Sequence, residues 1–176
     1  MELTGILLVG GASTRFHSPK ALAELGGETL AARAWRLLGQ ACDERIAVGK
    51  VADGLDLGFP LVDDGTALRA PLAGIVAGLR ASRTELCAVV PVDCPLLTAE
   101  AIRFLASSCR EAAVPQTGPL PGVYRRDVLP VLERQLAAGR LRLRDAVVGL
   151  DAVEVRLPAS LLVNLNTRAA LQELAS

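Results

Sequence analysis

Leu3-Thr4-Gly5-Ile6-Leu7-Leu8-Val9-Gly10-Gly11-Ala12-Ser13-Thr14-Arg15-Phe16-His17-Ser18-Pro19-Lys20 decides how this chain is read. An apolar strand pattern, Leu3 to Val9, runs straight into paired glycines, hydroxyls, an arginine and a lysine. Gly10 and Gly11 have no Cβ, so the backbone there can take unusual φ/ψ angles and bring its N–H groups close to an anionic oxygen. Ser13 adds a hydroxyl, Arg15 a planar guanidinium fork and Lys20 a compact ammonium. The stretch reads as a phosphate cradle. It is not G-x-x-x-x-G-K-[ST], whose lysine follows a glycine directly, and it lacks the glycine spacing of G-x-G-x-x-G.

Outward from that loop, short apolar runs alternate with helical patterns, as βα units around a mainly parallel sheet require. Leu30, Ala34, Leu37 and Leu38 recur at helical spacing. Strands are expected at Arg45 to Val48, about Pro60 to Val62, Leu86 to Val90, Ala112 to Val114, Ala152 to Val155 and Leu161 to Val163. Helices are expected over Leu72 to Arg80, after an N-cap at Thr98, after a cap at Asp127, and from Thr167. Gly139 should end the helix that carries Leu129, Leu132 and Leu136. No repeat or linker divides the chain, so residues 1–176 are expected to form one α/β domain.

Composition supports this. The 176 residues are 51% hydrophobic but only 3% aromatic, so the core must be built from Leu, Val, Ile and Ala. Such a core suits helices packed on a buried sheet. The formal net charge is zero. No global field therefore draws the chain to nucleic acid or an anionic membrane, and any anion site must be local. Cys42, Cys87, Cys94 and Cys109 form no C-x-x-C pair, and a single histidine leaves little scope for zinc. Cys42, Cys87 and Cys109 are expected as small buried apolar residues, whereas Cys94 follows Asp93 in a candidate site. With no leader before the first strand and no apolar run that spans a bilayer, a cytoplasmic location with reduced thiols is expected.

In open α/β sheets ligands bind outside the carboxyl ends of the strands. The loops after Val9, after Val62 and after Val90 all fall on that edge. They carry Arg15 and Lys20, then Asp63-Asp64, then Asp93. Cations for phosphates thus meet carboxylates for a hard divalent ion, and Mg²⁺ usually takes only one or two protein carboxylates. Asp93 is the first candidate ligand, with Asp63 or Asp64 a second. Positioning and electrostatics of this kind suffice for phosphoryl chemistry without a covalent intermediate.

Leu8 to Lys20 resembles the signature L-A-G-G-x-S-x-R-M-G-x-D-K of the molybdenum cofactor guanylyltransferases, within the wider nucleotidyltransferase family. Pro71-Leu72-Ala73-Gly74, Val92-Asp93-Cys94-Pro95 and Asn164-Leu165-Asn166-Thr167 resemble later motifs of that family in the same order. The resemblance implies a single-domain, Rossmann-like three-layer sandwich. It implies transfer of GMP from GTP to the phosphate of molybdenum-bearing molybdopterin, with release of pyrophosphate. By the same carry-over Arg15, Lys20 and Asp93 are catalytic, and Asp93 holds Mg²⁺. Leu8, Val9, Gly10, Gly11, Ser13, Lys20, Asp93 and one of Asp63 and Asp64 meet the nucleotide. Asn164 and Asn166 lie towards the pterin, although Asn166 or Thr167 could equally cap the last helix. A molybdopterin-delivering protein or a recipient molybdoenzyme is an implied partner.

The chain departs from the family pattern at His17, in place of glycine, and Pro19, in place of aspartate. Ala70 replaces the first glycine of G-P-L-A-G, and Arg168 the proline of N-x-N-T-P. Gly49-Lys50 stands where an asparagine that contacts guanine is often found. His17 is read as loop surface, because a phosphate nucleophile is already ionised at neutral pH. Two other readings stand beside guanylyl transfer: a cytidylyltransferase on molybdopterin or another small phosphate, and a non-catalytic nucleotide-binding accessory protein. Cytidylyl relatives resemble L-A-A-G at the opening and lack P-L-A-G, so Gly10-Gly11 favours guanine.

Overall fold

A computed structural model describes residues 2–10 and 19–176, apart from the Arg168 side chain. Gly11, Ser13, Arg15 and His17 lie outside the described residues. Strand β1 (Leu3–Leu8) is buried at every residue. That explains its unbroken apolar run: both faces of a central parallel strand are covered. Its side chains alternate, with Leu3, Leu7 and Val9 in one apolar layer and Ile6 and Leu8 in the other.

The remaining elements are the two-residue strands β2 (Glu24–Leu25) and β3 (Glu28–Thr29), helix α1 (Leu30–Ala41), and strands β4 (Glu44–Gly49) and β5 (Leu61–Asp63). Helix α2 (Pro71–Ala81), strand β6 (Leu86–Pro91), helix α3 (Ala99–Ser108), and strands β7 (Ala112–Pro115) and β8 (Gly122–Arg125) follow. Helices α4 (Leu129–Ala137) and α5 (Leu143–Val148), strand β9 (Ala152–Val155) and helix α6 (Arg168–Ala175) complete the chain. The main sheet has seven strands in the order β5-β4-β1-β6-β8-β7-β9. Only β8 runs against its neighbours, pairing antiparallel with β6 and β7. Helices α1, α3 and α6 cover one face and α2, α4 and α5 the other. The result is the expected three-layer α/β sandwich with a mainly parallel sheet. No helix among the described residues is long and apolar enough to cross a membrane.

Several sequence expectations need correction. Leu161 to Val163 is not a strand: Ala159–Leu162 forms a 3₁₀ turn after Pro158, which buries Leu162. Asp127 does not cap α4. It lies in a 3₁₀ turn, Arg126–Val128, and its carboxylate takes the Arg125 guanidinium instead. Cys87 is buried, but Cys42 and Cys109 are only partly so. Thr98 and Thr167 do cap their helices, each hydroxyl accepting from the N–H three residues on, and Gly139 follows α4 with a φ of 71°.

Gly74 and Gly78, one turn apart on α2, let that helix lie directly on β1. A Cβ at Gly74 would stand 2.8 Å from Leu8 Cδ2, and one at Gly78 2.6 Å from Ile6 Cγ2. Ile6 is fully buried, with nowhere to withdraw. Gly78→Ala gains about 1 kcal/mol of helix propensity but incurs overpacking of about 1–3 kcal/mol. The Tm is expected to fall by a few degrees in a thermal melt, and an unchanged or higher Tm would show slack between helix and strand.

Candidate active site

β6 ends at the carboxyl edge in the turn that carries Asp93. The backbone carbonyl of Asp93 accepts from Leu165 N–H at 2.9 Å, and the Cys94 thiol donates to Asn164 Oδ1 at 2.9 Å. The C-terminal segment thus clamps this turn, and the 3₁₀ turn before it brings Leu165 into place. From the β1 side, Lys20 begins a short 3₁₀ turn, Lys20–Leu22. Its Nζ meets Asp93 Oδ2 at 3.3 Å, with the two side chains 17% and 23% exposed. The pair is therefore partly sheltered yet open to a ligand.

Burial first, and the Asp93 charge second, push the Cys94 thiol well above the usual thiol range. It remains an S–H donor to Asn164 at neutral pH. An unfolded thiol ionises near pH 8.5, so the stability tied to this group is present below that pH and is lost as pH rises above it. Alkylation with iodoacetamide at pH 8.5, mapped by mass spectrometry, is expected to be at least about tenfold slower at Cys94 in the folded chain than in urea. Equal rates would show the thiol to be open to solvent.

Further along the same carboxyl edge, a cavity of about 240 Å³ opens between the ends of β1 and β4 and the start of α2. Leu8, Gly10, Gly49, Lys50, Asp64 and Gly74 are among its lining residues. The Lys50 ammonium donates to Asp64 Oδ1 at 2.5 Å and to the Thr66 carbonyl. Arg69, also on the wall, is held by Asp53 through contacts of 3.0 and 2.6 Å. That pairing lowers the Asp53 pKa below the usual carboxylate range.

The two neighbouring aspartates separate cleanly. Asp64 lines the cavity, whereas Asp63 is exposed and accepts from Gly65 and Val51 N–H at 2.8 and 2.9 Å. Those backbone donors, Gly65 first, hold the Asp63 carboxyl below its ordinary pKa. Neither can join Asp93 on one ion: the order β5-β4-β1-β6 puts three strand spacings, roughly 14 Å in all, between them. The expectation of a second metal ligand at Asp63 or Asp64 is therefore corrected.

Of the other sequence candidates, Leu8 reaches the cavity, while the Val9 side chain packs into the core on the α1 face and can offer a ligand only its backbone. Asn164 is tied to Cys94, and Asn166 is exposed. Thr167, not Asn166, caps α6. Sequence reasoning missed Lys50 and Arg69 as lining residues. The replacement of asparagine near Gly49-Lys50 was the signal for Lys50, and none marked Arg69.

Among the described residues no three His, Cys, Asp or Glu side chains gather as a metal cluster. Asp93 alone nonetheless fits Mg²⁺, a hard cation that completes its shell with water and substrate phosphates. A Zn²⁺ site would need more protein ligands.

The sequence model of the MobA-like NTP transferase domain matches residues 5–152. The chain belongs to the MobA-like NTP transferase family. This MobA-like NTP transferase is 34% identical to a Chloroflexus aggregans protein named "Probable molybdenum cofactor guanylyltransferase", over 88% of this chain and 80% of that one. It is also 34% identical to the "Molybdenum cofactor guanylyltransferase" of Burkholderia ambifaria, over 88% of this chain and 85% of that one. The solved structure of "Molybdopterin-guanine dinucleotide biosynthesis protein A" from Archaeoglobus fulgidus matches with a TM-score of 0.84, covering 98% of this chain and 96% of that chain at 21% identity. That last likeness is one of fold. Family membership makes the chain a nucleotidyltransferase.

Proposed function

We propose that this chain transfers GMP from GTP to the phosphate of molybdenum-bearing molybdopterin, giving the guanine dinucleotide cofactor and pyrophosphate. The observation that carries the reading is the Lys20–Asp93 contact on the same carboxyl edge as a cavity of about 240 Å³ that β1 and β4 line. Curated relatives at 34% identity carry the guanylyltransferase name.

The base enters the cavity that Gly10, Gly49 and Gly74 help to line, and the triphosphate runs along the end of β1 towards Lys20. Lys20 donates to phosphate oxygens and offsets the charge that gathers on the departing pyrophosphate. Asp93 would hold Mg²⁺ together with the triphosphate, and the ion would supply charge neutralisation of the phosphates and of the leaving group. The attacking pterin phosphate needs no general base. The exposure of Asn166, beyond the clamp of Leu165 and Asn164 on the Asp93 turn, supports an approach of the second substrate along the C-terminal segment.

The test is pyrophosphate release with GTP, CTP and ATP in turn, in the presence of Mg²⁺ and molybdenum-loaded pterin. Release with GTP alone, abolished by EDTA, is the expected result. Faster release with CTP would assign the cytidylyl reaction instead, and none with any nucleotide would leave a nucleotide-binding accessory protein.

A further inference from the structure

Lys50 and Asp64 form the most deeply placed ion pair among the described residues, with side chains 10% and 8% exposed. A buried pair is a poor source of stability, because desolvation consumes most of its Coulombic gain. This one also sits on the wall of a cavity rather than in packed core. Its hydrogen-bond inventory is incomplete. A lysine ammonium has three donors and no acceptor. Two of the Lys50 donors go to Asp64 Oδ1 and the Thr66 carbonyl, which leaves one. Asp64 Oδ1 also accepts from Thr66 N–H at 3.2 Å, whereas no described protein group donates to Oδ2.

The wall therefore presents one cationic N–H beside one carboxylate oxygen. Arg69, the other cation of the wall, is engaged by Asp53 through two of its N–H groups. We propose that Lys50 determines base specificity, its third N–H donating to the 6-oxo oxygen of guanine while Asp64 accepts from the adjacent ring N–H. The proposal rests on the guanylyl reading above. Guanine sets one acceptor, O6, next to two successive donors, N1–H and the 2-amino group, so the carboxylate can take both. Adenine and cytosine place an amino group where guanine has its oxo oxygen. An amino group facing the ammonium is donor against donor in a sheltered site. Gly10 and Gly49 line the same cavity and present no side chain to the ring.

6-Thio-GTP isolates the contact, because it keeps both N–H donors and exchanges only O6 for a weak sulfur acceptor. Calorimetric titration should show the wild-type chain binding GTP about tenfold more tightly than 6-thio-GTP, a difference of about 1.4 kcal/mol. Lys50→Met should bring the two within about twofold, a ratio that does not depend on how much of the preparation is folded. If Lys50 only holds Asp64 in place, the variant weakens both nucleotides and keeps the tenfold ratio, which overturns the proposal. A wild-type chain that does not distinguish the two overturns it as well. Should Lys50→Met fail to fold, Lys50→Gln gives the reading with a neutral donor: a ratio below about fivefold supports the proposal and a higher one overturns it. CTP or ATP binding to the wild type at least as tightly as GTP would instead remove the guanylyl reading on which it rests.

Discussion

Asp93→Asn is expected to lower kcat/KM for guanylyl transfer by about a hundredfold or more at millimolar Mg²⁺ while leaving the metal-free protein folded and its Tm little changed. The substitution keeps the shape of the side chain and removes the charge that a hard cation requires. A structural role predicts the opposite pattern, but the contacts argue against one. The hold on this turn is through the Asp93 backbone carbonyl, which accepts from Leu165 N–H, and through Cys94, whose thiol reaches Asn164. Neither depends on the carboxylate. The carboxylate itself meets Lys20 at 3.3 Å and, at 3.8 Å, the Cys94 thiol, and it accepts no backbone N–H from any described residue. Partly exposed pairs of that kind contribute only about 0–1 kcal/mol to stability. Turnover per folded molecule and thermal melts with and without Mg²⁺ and GTP, on one preparation, check both halves. A destabilised but fully active variant would take Asp93 out of the mechanism.

The asymmetry between what the sequence shows and what it hides has physical causes. Leu3 to Val9 and Leu86 to Val90 are legible because strands covered on both faces need unbroken apolar runs, and Asp93 is legible because it breaks such a run at the sheet edge. Leu161 to Val163 offers the same apolar signal over too few residues to separate a strand from a 3₁₀ turn, and Pro158 decides in favour of the turn. The direction of β8 depends on its partner: Gly122 to Arg125 pairs against Leu86 to Val89, a choice that no local pattern contains. The site divides in the same way. Lys20 and Asp93, which their motifs announce, do meet at the carboxyl edge. Lys50 is buried only because Asp64 arrives on the neighbouring strand end to neutralise it, and a pairing across 14 residues leaves no trace in hydropathy. The α5 segment was obscured by Arg142 and Arg144, whose charges stay exposed while Leu143 between them and Ala146 after them turn inwards.

Lys20→Ala is the second large effect, an expected loss of about 10- to 150-fold in kcat/KM, since a hydrogen bond to a charged group contributes about 1.5–3 kcal/mol. The fold should survive. The turn at Lys20 is held by backbone bonds, with the Lys20 carbonyl accepting from Ala23 N–H at 3.1 Å and the Pro19 carbonyl from Leu22 N–H at 3.0 Å. Lys20→Arg keeps the charge but replaces a point donor by a planar fork, and should recover part of the loss. Because Lys20 and Asp93 touch, their contributions are not independent: each holds the other in position before the triphosphate arrives. The Lys20→Ala, Asp93→Asn double variant should therefore lose less than the product of the two single losses. Steady-state kinetics on the four proteins of that cycle give the coupling directly. Strict additivity would mean that the 3.3 Å contact has no part in assembling the site, and unchanged kcat/KM in folded Lys20→Ala would mean that this lysine does not hold phosphate at all.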